Sequence, residues 1–236
     1  PGGATIKGLR EARIGSWNDI NGNDAPTTDY TRNYMTLWFD HGVNPTNGTY
    51  SYVLLPNKTS TQVASYATSP NITILENSNQ AQAVKENVLG ITGINFWQDA
   101  RKTVGGVTSD SQSSVMTRET ASDFEVSVSD PTQDNAGQIY IEVAKSAKNL
   151  ISKDPEVTIL QYTPTIKFKV NVKASAGKAY KVKFGLTGTQ TANPAPIPLP
   201  NLYEAETLPI QLMTDGIIVY NDTNASGGKK IGLITS

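Results

Sequence analysis

The chain has 236 residues, with 20 Lys plus Arg against 21 Asp plus Glu and a formal charge of −1. That balance supplies no basic field to track a phosphate backbone, which excludes nucleic acid as the expected partner. With no cysteine and a single histidine, disulfides, thiolate nucleophiles, Cys-based zinc sites and multi-histidine metal sites are excluded too.

Hydrophobic residues at 37% and charged residues at 17% fit a folded globular chain. No apolar run approaches the ~20 residues of a membrane span, so no membrane partner is expected. The chain opens Pro1-Gly2-Gly3-Ala4, without an initiator Met or a basic-then-apolar start, and reads as a mature or excised piece of something longer.

In chain order, period two dominates. Tyr34-Met35-Thr36-Leu37-Trp38-Phe39 predicts a strand, and Thr49-Tyr50-Ser51-Tyr52-Val53-Leu54-Leu55 predicts another, closed by Pro56-Asn57. The Gly-, Asn- and Pro-rich stretch between them predicts a loop, and the two strands an antiparallel pair. Thr59 or Ser60 caps a short helix that Pro70 ends. Short strands follow at Asn71–Leu75, Gln82–Lys85 and Gly93–Trp97, then a Gly- and Ser-rich loop from Gly105 to Ser114.

Beyond Val115 the alternation is cleaner: Phe124–Val128, Ile139–Val143, Val157–Leu160, Ile166–Lys173 and Tyr180–Phe184. In the last two, apolar residues alternate with Lys, the pattern of an antiparallel sheet with one wet face. Ser175-Ala176-Gly177-Lys178 is expected to join them as a hairpin. The fold class is therefore all-β: residues 1–114 as one portion, a small β-sandwich at 115–187, a Pro-rich linker at 188–201 and a truncated module at 202–236.

Three ordered stretches resemble a known family: Arg13-Ile14-Gly15-Ser16-Trp17-Asn18-Asp19-Ile20-Asn21, then Leu37-Trp38-Phe39-Asp40-His41-Gly42-Val43-Asn44-Pro45, then Tyr50-Ser51-Tyr52-Val53-Leu54-Leu55-Pro56. Gln80–Val84, Asn95-Phe96-Trp97 and Asp130-Pro131-Thr132-Gln133 continue the pattern. The order resembles the C-terminal half of polysaccharide lyase family eight, the hyaluronate, chondroitin AC and xanthan lyases.

The resemblance implies that residues 1–114 are the C-terminal part of an antiparallel β supersandwich, followed by the small C-terminal sandwich. It also implies a secreted bacterial enzyme that cleaves an acidic, uronate-bearing polysaccharide by β-elimination, with xanthan as the first expected substrate and hyaluronan or chondroitin next. The family's catalytic Asn, His and Tyr belong to an N-terminal α/α toroid. No catalytic residue is then expected in this chain, which alone would be inactive and supply scaffold and cleft wall. The toroid would be its partner within the same protein. A competing reading is a non-catalytic glycan-binding or adhesion protein built of sandwich modules.

The candidate substrate-binding residues are Arg13, Arg32, Trp17 and Asn18. Arg offers a planar fork that binds carboxylates bidentately. In xanthan lyase-like enzymes the resemblance implies an Arg from the β half that holds a substrate carboxylate. Arg32 falls in the polar approach Asn21–Asn33, read as a loop, and Arg13 lies near Trp17, whose ring suits a sugar. A scaffold role is the alternative for each arginine. Trp38 and Trp97 sit in apolar runs and are expected in the core. His41 is read as fixing a strand end, with general base as the alternative. The row Lys167, Lys169, Lys173, Lys181 and Lys183 is read as a solvated sheet face, with polyanion attraction as the alternative.

No cofactor is required for the implied chemistry. The segment Leu202-Tyr203-Glu204-Ala205-Glu206, with Ala225-Ser226-Gly227-Gly228-Lys229 after it, resembles the start of a carbohydrate-binding module. Glu204 and Glu206 are then candidate ligands of a structural Ca²⁺, with solvated carboxylates as the alternative.

Overall fold

A computed structural model of the chain describes residues 4–195 and, as backbone, three short strands beyond them. Two compact units divide at Asn193 and Pro194.

The first unit begins with a long ribbon, β1 (Thr5–Gly15) against β2 (Tyr30–Asp40), in unbroken antiparallel register from Thr5↔Asp40 to Gly15↔Tyr30. The expected pairing of the Tyr34–Phe39 strand with Thr49–Leu55 is corrected: β2 takes β1, and residues 50–55 lie in no ladder among the described residues. Helix α1 (Ser60–Thr68) starts as its capping residues dictate. The Thr59 hydroxyl accepts from the Gln62 amide at 3.3 Å, and Gln62 returns its side chain to the Thr59 N–H at 2.9 Å.

Next come β3 (Ile72–Asn77), β4 (Ala81–Glu86), β5 (Ile91–Phe96), β6 (Lys102–Val104), β7 (Val107–Ser109), β8 (Ser113–Glu119) and β9 (Asp123–Ser129). The unit ends with β10 (Gln138–Val143), β11 (Asn149–Lys153), β12 (Val157–Gln161), β13 (Ile166–Asn171) and β14 (Tyr180–Gly185). The expected loop Gly105–Ser114 in fact holds β7 and the start of β8. Gly105 and Gly106, at φ 57° and 80°, turn the chain tightly between β6 and β7.

Two antiparallel sheets result. One has seven strands in the order β11-β14-β9-β8-β5-β4-β3, and the other five in the order β12-β13-β10-β7-β6. The larger sheet draws strands from residues on both sides of position 114. Alternate residues of each sheet point into one shared core: Val126, Val128, Val182 and Phe184 from the first, Ile139, Ile141, Phe168 and Val170 from the second. Phe168 and Phe184 meet at 6.1 Å between ring centroids. Full burial stabilises each such side chain by roughly 1.5–3 kcal/mol, and this core holds the sandwich.

One correction concerns the lysines. β13 belongs to the five-stranded sheet and β14 to the seven-stranded one. The stretch between them is therefore a crossing between sheets and not a hairpin. Lys167 and Lys169 stand on one sheet, Lys181 and Lys183 on the other, and no single lysine row exists.

The second unit contains the short strands β15 (Ile210–Leu212), β16 (Ile218–Asn221) and β17 (Ile231–Ile234), paired antiparallel in that order. Glu204, Glu206 and the stretch 222–230 lie outside the described residues, as do the calcium and binding-module expectations that rest on them.

Candidate functional site

The β1–β2 ribbon positions the arginines. In an antiparallel pair, residues directly opposite share a face. Arg13 lies directly opposite Arg32, so one face carries both, together with Glu11 and Tyr34 and, at the ribbon's end, Tyr30. Arg32 is thus in a strand and not in the expected polar loop, because Tyr30-Thr31-Arg32 already alternates and pairs with Arg13-Ile14-Gly15.

The guanidiniums are held by their neighbours. Arg13 packs with its carbon 6.0 Å from the Tyr34 ring centroid and pairs with Glu11. Arg32 lies 5.3 Å from the Tyr30 ring centroid, and its Nη1 donates to the Thr31 carbonyl at 2.9 Å. Arg32 has no carboxylate partner among the described residues. Like charges placed directly opposite destabilise a sheet pair. Two facing arginines, of which only Arg13 is neutralised by a carboxylate, Glu11, therefore leave a place for an anion.

Tyr30 and Tyr34 are the residues that sequence reasoning missed. Their signal was the spacing Tyr30, Arg32, Tyr34, which puts all three on one strand face.

Trp17 and Asn18 sit in a 3-10 turn, Trp17–Asp19, that follows β1, at the same end of the ribbon as the arginine pair. The turn is closed by the Ser16 N–H donating to the Asp19 carboxylate at 2.6 Å, and the Asn18 N–H donates to the Pro26 carbonyl at 3.2 Å. Trp17 is 62% exposed, open for stacking.

Trp38 and Trp97 are corrected from their expected core places, at 42% and 44% exposed. Trp38 belongs to the two-stranded ribbon, which has no second layer over that face among the described residues. Trp97 follows the end of β5, where its N–H donates to the Gln80 carbonyl at 3.0 Å.

At the other end of the ribbon, Lys7 pairs with Asp40, and the Gly42 N–H donates to Asp40 at 2.8 Å. Lys7 first, then that amide, hold the Asp40 carboxyl below the usual carboxylate range. His41 stands beside them, half-buried, with its ring against Gly48. A Cβ built on Gly48 would lie 2.9 Å from the His41 Nδ1, so a larger residue there would push the ring aside.

An open groove of about 1500 Å³ lies between residues 47–55, α1 and the face of β3 and β4 that carries Ile74 and Val84. The Asn77 side chain anchors one wall by donating to the Tyr50 carbonyl at 3.1 Å. Phe39, Tyr50 and Tyr52 stack beside it at centroid distances of 5.5 and 6.4 Å along the series.

Two family models match successive parts of the chain. Residues 1–67 match the super-sandwich domain of polysaccharide lyase family 8, and residues 73–138 match that family's C-terminal beta-sandwich domain. The chain is 52% identical over 196 residues to the xanthan lyase of Bacillus sp. (strain GL1), covering 82% of this chain and 21% of that protein. It is 32% identical over 187 residues to the hyaluronate lyase of Thermasporomyces composti, covering 79% of this chain and 24% of that one. The solved Paenibacillus xanthan lyase superposes on 99% of this chain and 23% of its own, with a TM-score of 0.78 at 68% identity. The Streptomyces coelicolor A3 chondroitin AC lyase, in complex with chondroitin sulphate, superposes on 77% of this chain and 24% of its own, with a TM-score of 0.67 at 29% identity. The chain thus spans between a fifth and a quarter of the length of these relatives. The two matched domains together cover more than half of the sequence, in family order, and the chain belongs to polysaccharide lyase family 8.

Proposed function

We propose that this chain is the β part of a secreted lyase that cleaves an acidic, uronate-bearing polysaccharide by β-elimination, with xanthan as the first substrate. Family membership and the 52% identity to a xanthan lyase support the reaction and the substrate. The observation that carries a role for this chain is the direct opposition of Arg13 and Arg32, of which Arg13 alone pairs with a carboxylate among the described residues.

In this reading the proton-moving groups come from an α/α toroid elsewhere in the same protein. The ribbon contributes one wall of the substrate cleft. Arg32 grips a substrate carboxylate with its planar fork, Arg13 adds a second positive charge, and Trp17 and Asn18 contact the sugar at the ribbon end. The tyrosines under the guanidiniums limit their rotamers before substrate arrives, so less freedom is lost on binding.

The test uses the whole enzyme that carries this chain and follows the ultraviolet absorbance of the unsaturated uronate product. Arg32→Ala is expected to raise KM on charged polymer about tenfold, in line with losing a charge-assisted bidentate contact, while kcat stays near the parent value. Arg32→Lys restores part of the loss. An unchanged KM removes Arg32 from the site. Absence of any unsaturated product from xanthan, hyaluronan or chondroitin overturns the lyase reading and leaves a glycan-binding protein.

A further inference from the structure

The five-stranded sheet has an outer face that the preceding reading does not use. Strand β10 turns Gln138, Tyr140 and Glu142 outward between the buried Ile139, Ile141 and Val143. Directly opposite on β13 stand Asn171, Lys169 and Lys167. Thr158 of β12 then faces Lys169, and Thr108 of β7 faces Glu142. One aromatic ring thus stands in the middle of a face otherwise made of hydroxyl, amide and charged groups. Tyr140 is 45% exposed, and the Lys169 Nζ lies 5.8 Å from its ring centroid.

The carboxylates of this face are already engaged within the fold. Glu142 binds Arg101 at 2.7 Å, accepts the Thr165 hydroxyl at 2.9 Å and has Lys167 at 3.5 Å. Asp110 accepts the Tyr140 N–H at 2.9 Å and the Ser111 hydroxyl at 3.0 Å, which fixes the backbone under the ring. Lys169 has no carboxylate partner among the described residues. A rigid strand pair therefore presents an open ring and an unneutralised ammonium side by side.

The opposite side of the sandwich differs. There Lys183 is paired with Asp123 at 3.1 Å, and the row through Lys181 continues to Ser127 and Met116 with no aromatic ring.

We propose that Tyr140 and Lys169, flanked by Gln138 and Thr158, form a binding platform for an anionic polysaccharide. The Tyr140 ring takes the apolar C–H face of one sugar, and the Lys169 ammonium pairs with a carboxylate on that sugar or its neighbour. Gln138 and Thr158 supply hydrogen bonds to sugar hydroxyls. The platform rests on the proposed function only for the class of polymer. It holds chain against the sandwich without taking part in bond cleavage.

The experiment is affinity electrophoresis of the 236-residue chain in native gels containing xanthan or hyaluronan, with dextran as the neutral polymer. All variants are made in the Arg13→Ala/Arg32→Ala background, so that the ribbon does not contribute. Retardation by the anionic polymers is expected to persist in that background and to be absent in dextran. Tyr140→Ala and Lys169→Ala should each weaken it roughly fivefold. Tyr140→Phe keeps the ring and should stay near the parent, as should Lys181→Ala on the opposite sheet; thermal melts check folding. Parent-like binding by both Tyr140→Ala and Lys169→Ala overturns the platform. So does an equal loss in Lys181→Ala, which reduces the effect to general charge. Binding that depends on Tyr140 in a protein whose whole enzyme releases no unsaturated product would sink the lyase reading alone.

Discussion

Asp130 shows how one residue ties the sandwich to pH. It is the one charged side chain in the buried set among the described residues, at 1% exposed. Burial opposes its ionisation, but hydrogen bonds outweigh that: the Thr132 hydroxyl at 2.6 Å, the Asn135 N–H at 3.1 Å and the Thr132 N–H at 2.9 Å, with the Gln133 N–H adding to them. Its carboxyl is therefore held below the usual carboxylate range. A group whose pKa is depressed by folding stabilises the fold above its unfolded pKa, and that contribution disappears as pH falls through the folded value. Asp130→Ala should cost about 2 kcal/mol at neutral pH, the order expected for losing a buried, charge-assisted set of hydrogen bonds. It should also flatten the acid limb of a plot of melting temperature against pH. A variant whose acid limb runs parallel to the parent's would show that other groups carry the dependence. The sequence displays this loop as Asp-Pro-Thr, an Asx-turn signal. What it could not display is burial, because that depends on strands far away in the chain. The arginine pair has the same character: each residue was legible as a carboxylate binder, but their opposition required the register of β1 on β2.

Among the elements, period two was legible wherever a strand had one dry face. It marked β9, β10, β12, β13 and β14, where Val, Ile and Phe alternate with polar residues, and missed β11, whose Asn149–Lys153 carries no buried residue. It missed β1, whose alternation is interrupted by Gly8 and Arg10. Periodicity also tells which side of a strand is wet but not which sheet the strand joins, so β13 and β14 were expected to be neighbours. Their separation is set by the chain between them, where Ala174, Ala176 and Gly177 all adopt positive φ and lead the backbone across the sandwich. A sharper register device sits between β4 and β5. Gly90 has φ 66°, its carbonyl accepts the Glu119 N–H at 2.9 Å, and an added Cβ would lie 2.4 Å from the Glu119 carbonyl oxygen. Both the backbone angle and the close approach demand glycine. Gly90→Ala should therefore lower stability by about 1–3 kcal/mol in chemical denaturation, with an unchanged m-value. A variant as stable as the parent would mean that the β5–β8 edge shifts without cost.

Across the molecule, the two ends of the first unit differ in how much of their apolar surface is covered. The sandwich encloses its inner faces, whereas the ribbon leaves Ile6, Met35 and Leu37 on one side and Trp38 on the other exposed, and Tyr52 and Leu54 stand open beside the groove. A two-stranded ribbon is marginal in water, and contiguous apolar surface of this kind ordinarily meets another layer. The stretch Thr49–Leu55 has strand composition and no ladder among the described residues, which is what a strand looks like when it lacks its partner. The family match agrees, since a super-sandwich is represented here by residues 1–67 and the relatives are about three to four times as long as this chain. Hydrogen exchange can test this. In the 236-residue chain, amides of β8, β9 and β14 should be protected, while those of residues 50–55 and of the ribbon exchange faster by orders of magnitude. In a longer form that adds further super-sandwich sequence ahead of residue 1, residues 50–55 should acquire protection comparable to β9. Protection that is equal in the two forms would mean that the ribbon and groove are stable surfaces in their own right, and the missing-layer argument would fail.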